Sequence, residues 1–345
     1  MPSNLNRLSK IAKFLISSNL SSPITLQDFH AKALADYGIN DCWPEAVLKE
    51  AKTKKENISK EKDVLETFPF VTIDGEDAKD FDDAIFCEFS DNGFHLKVAI
   101  ADVSFYVKES SALDLEAAKR TTSVYMPKKV VPMLPEKLSN ELCSLQPNKR
   151  RRCLCIEMDF DKDGYIRCYK FHRGIIKSVA RLTYTEVENQ IINGVKDSDY
   201  AESLKVAIAL FNKLLINKGY RGALDFTISE PFIQTNSNGD IKHIDDRKRL
   251  NSHKLIEEFM LAANISAADF ISQYAKEGVY RIHEHPESLK IQRLSQVLKN
   301  RGINWNGSIE DIENISEFIL KLNKRDDAPI LNMLILQSMQ RAEYS

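Results

Sequence analysis

Thr72-Ile73-Asp74-Gly75-Glu76-Asp77-Ala78-Lys79-Asp80-Phe81-Asp82-Asp83-Ala84 packs five aspartates into ten residues, directly after the apolar Pro69-Phe70-Val71. Carboxylates at that density repel one another unless something positive sits among them. Oxygen-only ligand sets are what hard divalent cations take, Mg²⁺ through a few carboxylates together with water and substrate phosphate. The run therefore reads first as a metal-dependent phosphate-chemistry site. A solvated acidic loop or a weak Ca²⁺ site is the plainer alternative. An EF-hand is excluded, because glycine at position 6 and glutamate at position 12 are missing. The aspartates of the run can converge only if the chain turns between them, since an extended strand sends Asp82 and Asp83 to opposite faces.

Outward from the run, the pattern is first that of strands. Phe70 to Ile73 precedes it; Ala84 to Phe89, the turn Asp91-Asn92-Gly93 and Phe94 to Ile100 follow it as a hairpin. A second hairpin is expected from Cys153 to Phe160, the turn Asp161-Lys162-Asp163-Gly164, and Tyr165 to Phe171. Helical periodicity predicts helices near 185–193, 201–217, 253–275, 287–300, 311–323 and 328–342. The fold class is α+β, a mostly antiparallel sheet surrounded by helices. Ahead of it, Leu5, Leu8, Ile11, Phe14 and Leu15 keep helical spacing, Ser21-Ser22-Pro23 breaks the pattern, and a second helical stretch runs through Ala35. Lys49 to Asp63 is charged and poor in apolar residues, as a solvated helix or linker is. Residues 1–64 are thus expected to be a short helical preface with a charged linker, and 65–345 the main domain.

The chain's 345 residues, 43% hydrophobic, can supply a real core, and its net charge of −2 advertises no global attraction to nucleic acid. Any such binding has to come from local basic patches. The six cysteines lie apart except for Cys153 and Cys155 on one strand face, which favours free thiols over a disulfide framework or a zinc site. No apolar run approaches the ~18 residues of a membrane span, and Lys13 interrupts the N-terminal apolar segment, so the expectation is a cytoplasmic protein with no membrane partner.

Several stretches, in order, resemble one family. The acidic run, Val98-Ala99-Ile100-Ala101-Asp102-Val103-Ser104, Thr122 to Pro127 with Val131 to Pro135, and Leu138-Ser139-Asn140-Glu141-Leu142-Cys143-Ser144-Leu145 are similar to the RNB catalytic domain of the ribonuclease II and ribonuclease R exoribonucleases. Ala180-Arg181-Leu182-Thr183-Tyr184 and His253 to Asn264 continue the likeness, nearest the ribonuclease R side, from about Trp43 to the C-terminus. The resemblance implies Mg²⁺-dependent, processive 3′-to-5′ hydrolysis of single-stranded RNA to nucleoside 5′-monophosphates. It implies Asp74, Asp80, Asp82 and Asp83 as catalytic metal ligands for two Mg²⁺ ions, with Mn²⁺ as an alternative, and leaves Asp77 outside the set.

The same resemblance suggests that Tyr125 and Phe226 stack on the terminal bases, a sequence-tolerant contact worth ~1–3 kcal/mol per base, against a reading as core aromatics. It places Tyr184 and Glu257 beside the terminal nucleotide. A glutamate buried on the apolar helix Leu255 to Ala268 would need a partner, and a ribose hydroxyl or a structural arginine would both serve. Asp102 reads as a turn or hydrogen-bonding residue, and His283-Glu284-His285 as structural or at the surface. Lys149 to Arg152 and Arg247 to Arg249 are either phosphate contacts or solvated charge. The chain reaches Ser345 before the family's Arg-Arg-Tyr-Pro-Asp-Leu segment, whose arginines hold the scissile phosphate. The domain is accordingly expected to be incomplete and its activity impaired, with a complementing polypeptide as partner. The alternative is a non-catalytic RNA-binding or regulatory remnant, or one half of a split ribonuclease.

Overall fold

Alternating apolar residues on both sides of the acidic run build the middle of a seven-stranded sheet. The computed structural model describes residues 26–56, 63–221, 226, 231–236, 241–246, 249–275, 277–305 and 312–345. The strands are β1 (Asp63–Val64), β2 (Val71–Asp74), β3 (Asp83–Ser90), β4 (Gly93–Ala101), the separate hairpin β5 (Val124–Met126) and β6 (Lys129–Val131), β7 (Arg150–Asp161), β8 (Ile166–Lys177) and β9 (Ala180–Thr183). The order across the sheet is β1-β8-β7-β4-β3-β2-β9. Only the two edge pairs, β1 with β8 and β2 with β9, run parallel. The class is the expected one.

Because β4 is central, both of its faces must be covered. Leu96 and Val98 meet Leu204, Leu210 and Phe211 of α6 (Ala201–Tyr220) and Leu255 and Phe259 of α7 (Asn251–Tyr274), with α5 (Tyr184–Asn193) beside them. On the other face, Ala99 and Ala101 with Cys153 and Cys155 lie in one cluster with residues of α2 (Glu45–Thr53), the one-turn helix α3 (Val103–Tyr106), α4 (Ala112–Arg120) and a π-helical turn, Lys137–Leu142. Small side chains on that face let the helices approach closely. Each fully buried Leu, Val or Phe contributes roughly 1.5–3 kcal/mol by leaving water. A third cluster, around Leu294, Leu298, Ile319, Leu331 and Ile335, joins α8 (Ser288–Asn300), α9 (Ile312–Leu322) and α10 (Ala328–Ser338).

Three expectations change in detail. The charged segment from Lys49 belongs to a helix that starts at Glu45, where Val47 and Ala51, one turn apart, are both 2% exposed and share a core cluster with Leu65 and Phe70. The helix expected over 328–342 ends at Ser338. Residues 342–344 instead form a strand against Arg281–His283, extended by the pair Tyr280 N–H to Ser345 O at 2.9 Å and Ser345 N–H to Tyr280 O at 2.8 Å. Strand β9 was not expected, because its partner β2 lies about a hundred residues away in the chain. The helix foreseen over Leu5 to Leu15 lies outside the described residues, whereas the second stretch forms α1 (Leu26–Asp36).

Candidate active site

The acidic run leaves the sheet at the end of β2 and re-enters it at the start of β3. Asp74 closes β2 opposite Thr183 of β9, and Asp83 opens β3 opposite Ile100. The required turn is present: Asp74 Oδ1 accepts from Gly75 N–H at 2.6 Å and Gly75 O from Ala78 N–H at 3.2 Å. Coming back, Asp82 O accepts from Ala101 N–H at 2.9 Å, which registers the loop on β4.

Two groups that spacing alone does not reveal hold the loop in place. Ser144, fully buried, accepts from Phe81 N–H at 3.1 Å and donates to Lys79 O at 2.7 Å, while Leu145 N–H donates to Phe81 O at 2.9 Å. Arg181 on β9 donates through Nη2 to both Gly75 O and Glu76 O at 2.6 Å, and Thr185 Oγ1 donates to Glu76 Oε1 at 2.6 Å. Both residues lie inside family-like stretches, Leu138 to Leu145 and Ala180 to Tyr184, so the sequence marks their positions but not their partners.

The carboxylates crowd one another. Burial, then Asp74 and Asp82, push the Asp83 pKa up to about 7. Asp83 Oδ2 is buried without a hydrogen-bond partner. Burial, then Asp80 and Asp74, push Asp82 up to about 6, although its side chain still meets water. A buried carboxylate with an unused oxygen is costly unless protonated or paired with a cation, so this donor set fits a hard divalent ion. As placed, no group of three or more Asp, Glu, His or Cys side chains among the described residues converges closely enough to hold a metal.

Around the aspartates the other expected residues divide. Tyr125, on the β5–β6 hairpin, joins them: its hydroxyl donates to Asp80 Oδ2 at 2.7 Å. Tyr184 starts α5 with its ring stacked on His253, centroids 4.0 Å apart. Glu257 is half-exposed and pairs with Arg249; the buried glutamate of that helix is its neighbour Glu258, bonded to Arg221 Nη2 at 2.8 Å. Phe226 packs against the cluster of α8 to α10 and not with the carboxylates. Asp102 is buried and accepts from Ser104 Oγ at 2.9 Å, a structural role. His283 and His285 are exposed. Half of the run from Lys149 is turned inward: Arg151 is buried and pairs with Glu56, and Arg152 is buried 3.7 Å over the Phe105 ring, whereas Lys149 and Arg150 are exposed, Arg150 pairing with Glu66.

None of the six cysteines is disulfide-bonded. Burial, then Asp82 and Asp102, push the Cys143 thiol up to about 12, which makes it a poor nucleophile. A cavity of about 430 Å³, lined by Phe160, Leu214, Leu261 and Ile265 above Glu258, lies by the β7–β8 turn at the far end of the strands from Asp83. No described helix is long and apolar enough to cross a membrane.

With the loop, its anchors and the sheet in view, the chain belongs to the RNB domain family, whose model matches residues 62–345. It is similar to ribonuclease R of Escherichia coli K12, 40% identical over 323 residues that cover 90% of this chain and 40% of that protein. Ribonuclease R of Vibrio parahaemolyticus is 39% identical over 314 residues, 88% of this chain and 38% of that one. The chain thus spans about two-fifths of the length of these curated relatives. Among solved structures, Mycoplasma genitalium RNase R in complex with ribose methylated single-stranded RNA superposes with a TM-score of 0.85 at 29% identity, over 90% of this chain and 50% of that one. Yeast Ssd1, described as a pseudonuclease, shares the fold with a TM-score of 0.64 at 18% identity, over 86% of this chain and 35% of that one.

Proposed function

We propose that this chain carries the catalytic centre of a 3′-to-5′ exoribonuclease that hydrolyses single-stranded RNA to nucleoside 5′-monophosphates. The observation that carries the reading is Asp83, a buried carboxylate with an unpartnered oxygen crowded by Asp74 and Asp82, in a chain similar to ribonuclease R. Asp74, Asp80, Asp82 and Asp83 would hold Mg²⁺, as two ions, or Mn²⁺. Divalent cations bound there lower the pKa of a water molecule and neutralise charge on the phosphate. The chain's own part is to gather negative charge on a loop fixed by Ser144 and Arg181, and to offer the exposed Tyr125 ring to a terminal base. A stacking platform of that kind accepts any base, as a sequence-independent exonuclease must.

The fold by itself does not decide for catalysis, since a protein described as a pseudonuclease shares it. The test is incubation with 5′-labelled single-stranded RNA and Mg²⁺, with Asp82→Asn as control. A 3′-shortening ladder that requires the metal and vanishes in the variant is expected. Intact RNA with a persisting mobility shift would instead establish a non-catalytic RNA-binding protein.

A further inference from the structure

We propose that the Tyr125 hydroxyl is a positioning group for Asp80, so that one side chain serves both the RNA seat and the cation seat. The inference rests on the reading of Asp80 as a metal ligand. Tyr125 lies at the middle of β5, facing Val130 across a two-stranded hairpin whose turn holds Lys128 at φ 58°. The hairpin is fixed at both ends. Lys128 Nζ donates to Asn236 O, and at the base Ser123 Oγ accepts from Met133 N–H at 3.0 Å while Val131 is buried. From this support the Tyr125 ring stands out, 65% exposed, with its hydroxyl tip against Asp80 Oδ2 at 2.7 Å.

That distance is ordinary for a hydroxyl bonded to an ionised carboxylate, a class of bond about twice as strong as a neutral one. The contact uses one oxygen of Asp80 and fixes the direction of the other. A base stacks on the face of a ring, whereas this bond is made at its edge, so the two tasks do not compete. Groups that hydrogen-bond a metal's ligands fix their orientation, and their loss costs 10- to 100-fold in metal affinity. If the hydroxyl merely occupied the place of the cation, its removal would have the opposite sign.

The experiment is calorimetric titration of Mn²⁺ into the full chain and its Tyr125→Phe, Tyr125→Ala and Asp80→Asn variants, with RNA affinity measured separately in EDTA by fluorescence anisotropy. Phenylalanine keeps the stacking face and removes only the hydroxyl. Tyr125→Phe is expected to bind Mn²⁺ about 10- to 100-fold more weakly while its RNA affinity falls by less than Tyr125→Ala, which loses about tenfold on RNA as well. If Asp80→Asn weakens Mn²⁺ binding but Tyr125→Phe binds it as well as, or better than, the native chain, the inference is overturned and the ligand reading stands. If Asp80→Asn binds Mn²⁺ like the native chain, the ligand reading falls and takes the inference with it. Circular dichroism of each variant establishes that the hairpin change has left the fold in place.

Discussion

Asp83 is held in the acidic loop at an electrostatic cost. Its folded pKa, raised to about 7 by burial and then by Asp74 and Asp82, lies above that of an ordinary carboxylate. The folded state therefore holds this proton more tightly than the unfolded chain does. Its contribution to stability is full below about pH 4 and is lost as pH rises through about 7. In EDTA the thermal midpoint is expected to fall between pH 5 and pH 8. Asp83→Asn, which cannot ionise, should lessen that fall and melt about 2–4 °C higher than the native chain at pH 8, a shift that corresponds to ~1 kcal/mol in a large domain. Scanning calorimetry at the two pH values decides it; equal falls in both proteins would show that the charge on Asp83 is not what costs stability. Mg²⁺ should recover the native midpoint at pH 8 and leave that of Asp83→Asn nearly unmoved. The residue that governs this behaviour was legible in the sequence as one of four candidates, but its burial was not. In the same way, the apolar helix around Glu257 was legible, whereas only the packed structure tells that Glu258 is the glutamate turned inward and Glu257 the half-exposed one.

The element that makes the site is a loop, and its shape depends on segments distant in sequence. The strands flanking the aspartates could be read because alternation is a property of neighbouring residues. The Ser144 strap and the Arg181 clamp could not, because their partners lie 63 to 65 and 105 to 106 residues away. One hydroxyl at Ser144 satisfies a buried donor and a carbonyl at once, so Ser144→Ala leaves Phe81 N–H without its acceptor. A loss of about 1–3 kcal/mol is expected in urea denaturation, together with weaker Mn²⁺ binding as the loop slackens. A loss of stability with cation affinity intact would mean that the strap supports the sheet and not the site. Thr183 offers a second handle. It faces Asp74 across the β2–β9 pair and caps α5, accepting from Glu186 N–H at 3.1 Å while the Glu186 carboxylate accepts from Thr183 N–H at 2.7 Å. Thr183→Ala should cost ~1 kcal/mol through the lost cap, and Thr183→Ser should restore most of it.

At the scale of the whole molecule, the sheet is a slab that needs cover on both faces, and one of the covers comes from the segment before residue 65. Val47 and Ala51 of α2 enter the same cluster as Phe70, Phe86 and Ala99, and Trp43 packs at its margin under the Arg120 guanidinium, 3.6 Å from the ring centroid. Glu50 ties the same helix to α4 by accepting from Leu113 N–H at 3.0 Å. Composition hides this, because a helix that buries only one narrow stripe looks mostly charged from its sequence. A chain that begins at Leu65 would lose the burial of Val47 and Ala51 and uncover Leu113 and Ala117 of α4, a loss of several buried side chains at roughly 1.5–3 kcal/mol for each large one. Against a typical total of 5–15 kcal/mol, that loss consumes much of the stability of the domain. The shortened protein is therefore expected to melt far below the 345-residue chain or to aggregate, and Val47→Asp in the full chain should reproduce the effect in milder form. Equal melting temperatures for the two lengths would show that residues 1–64 are a dispensable preface after all.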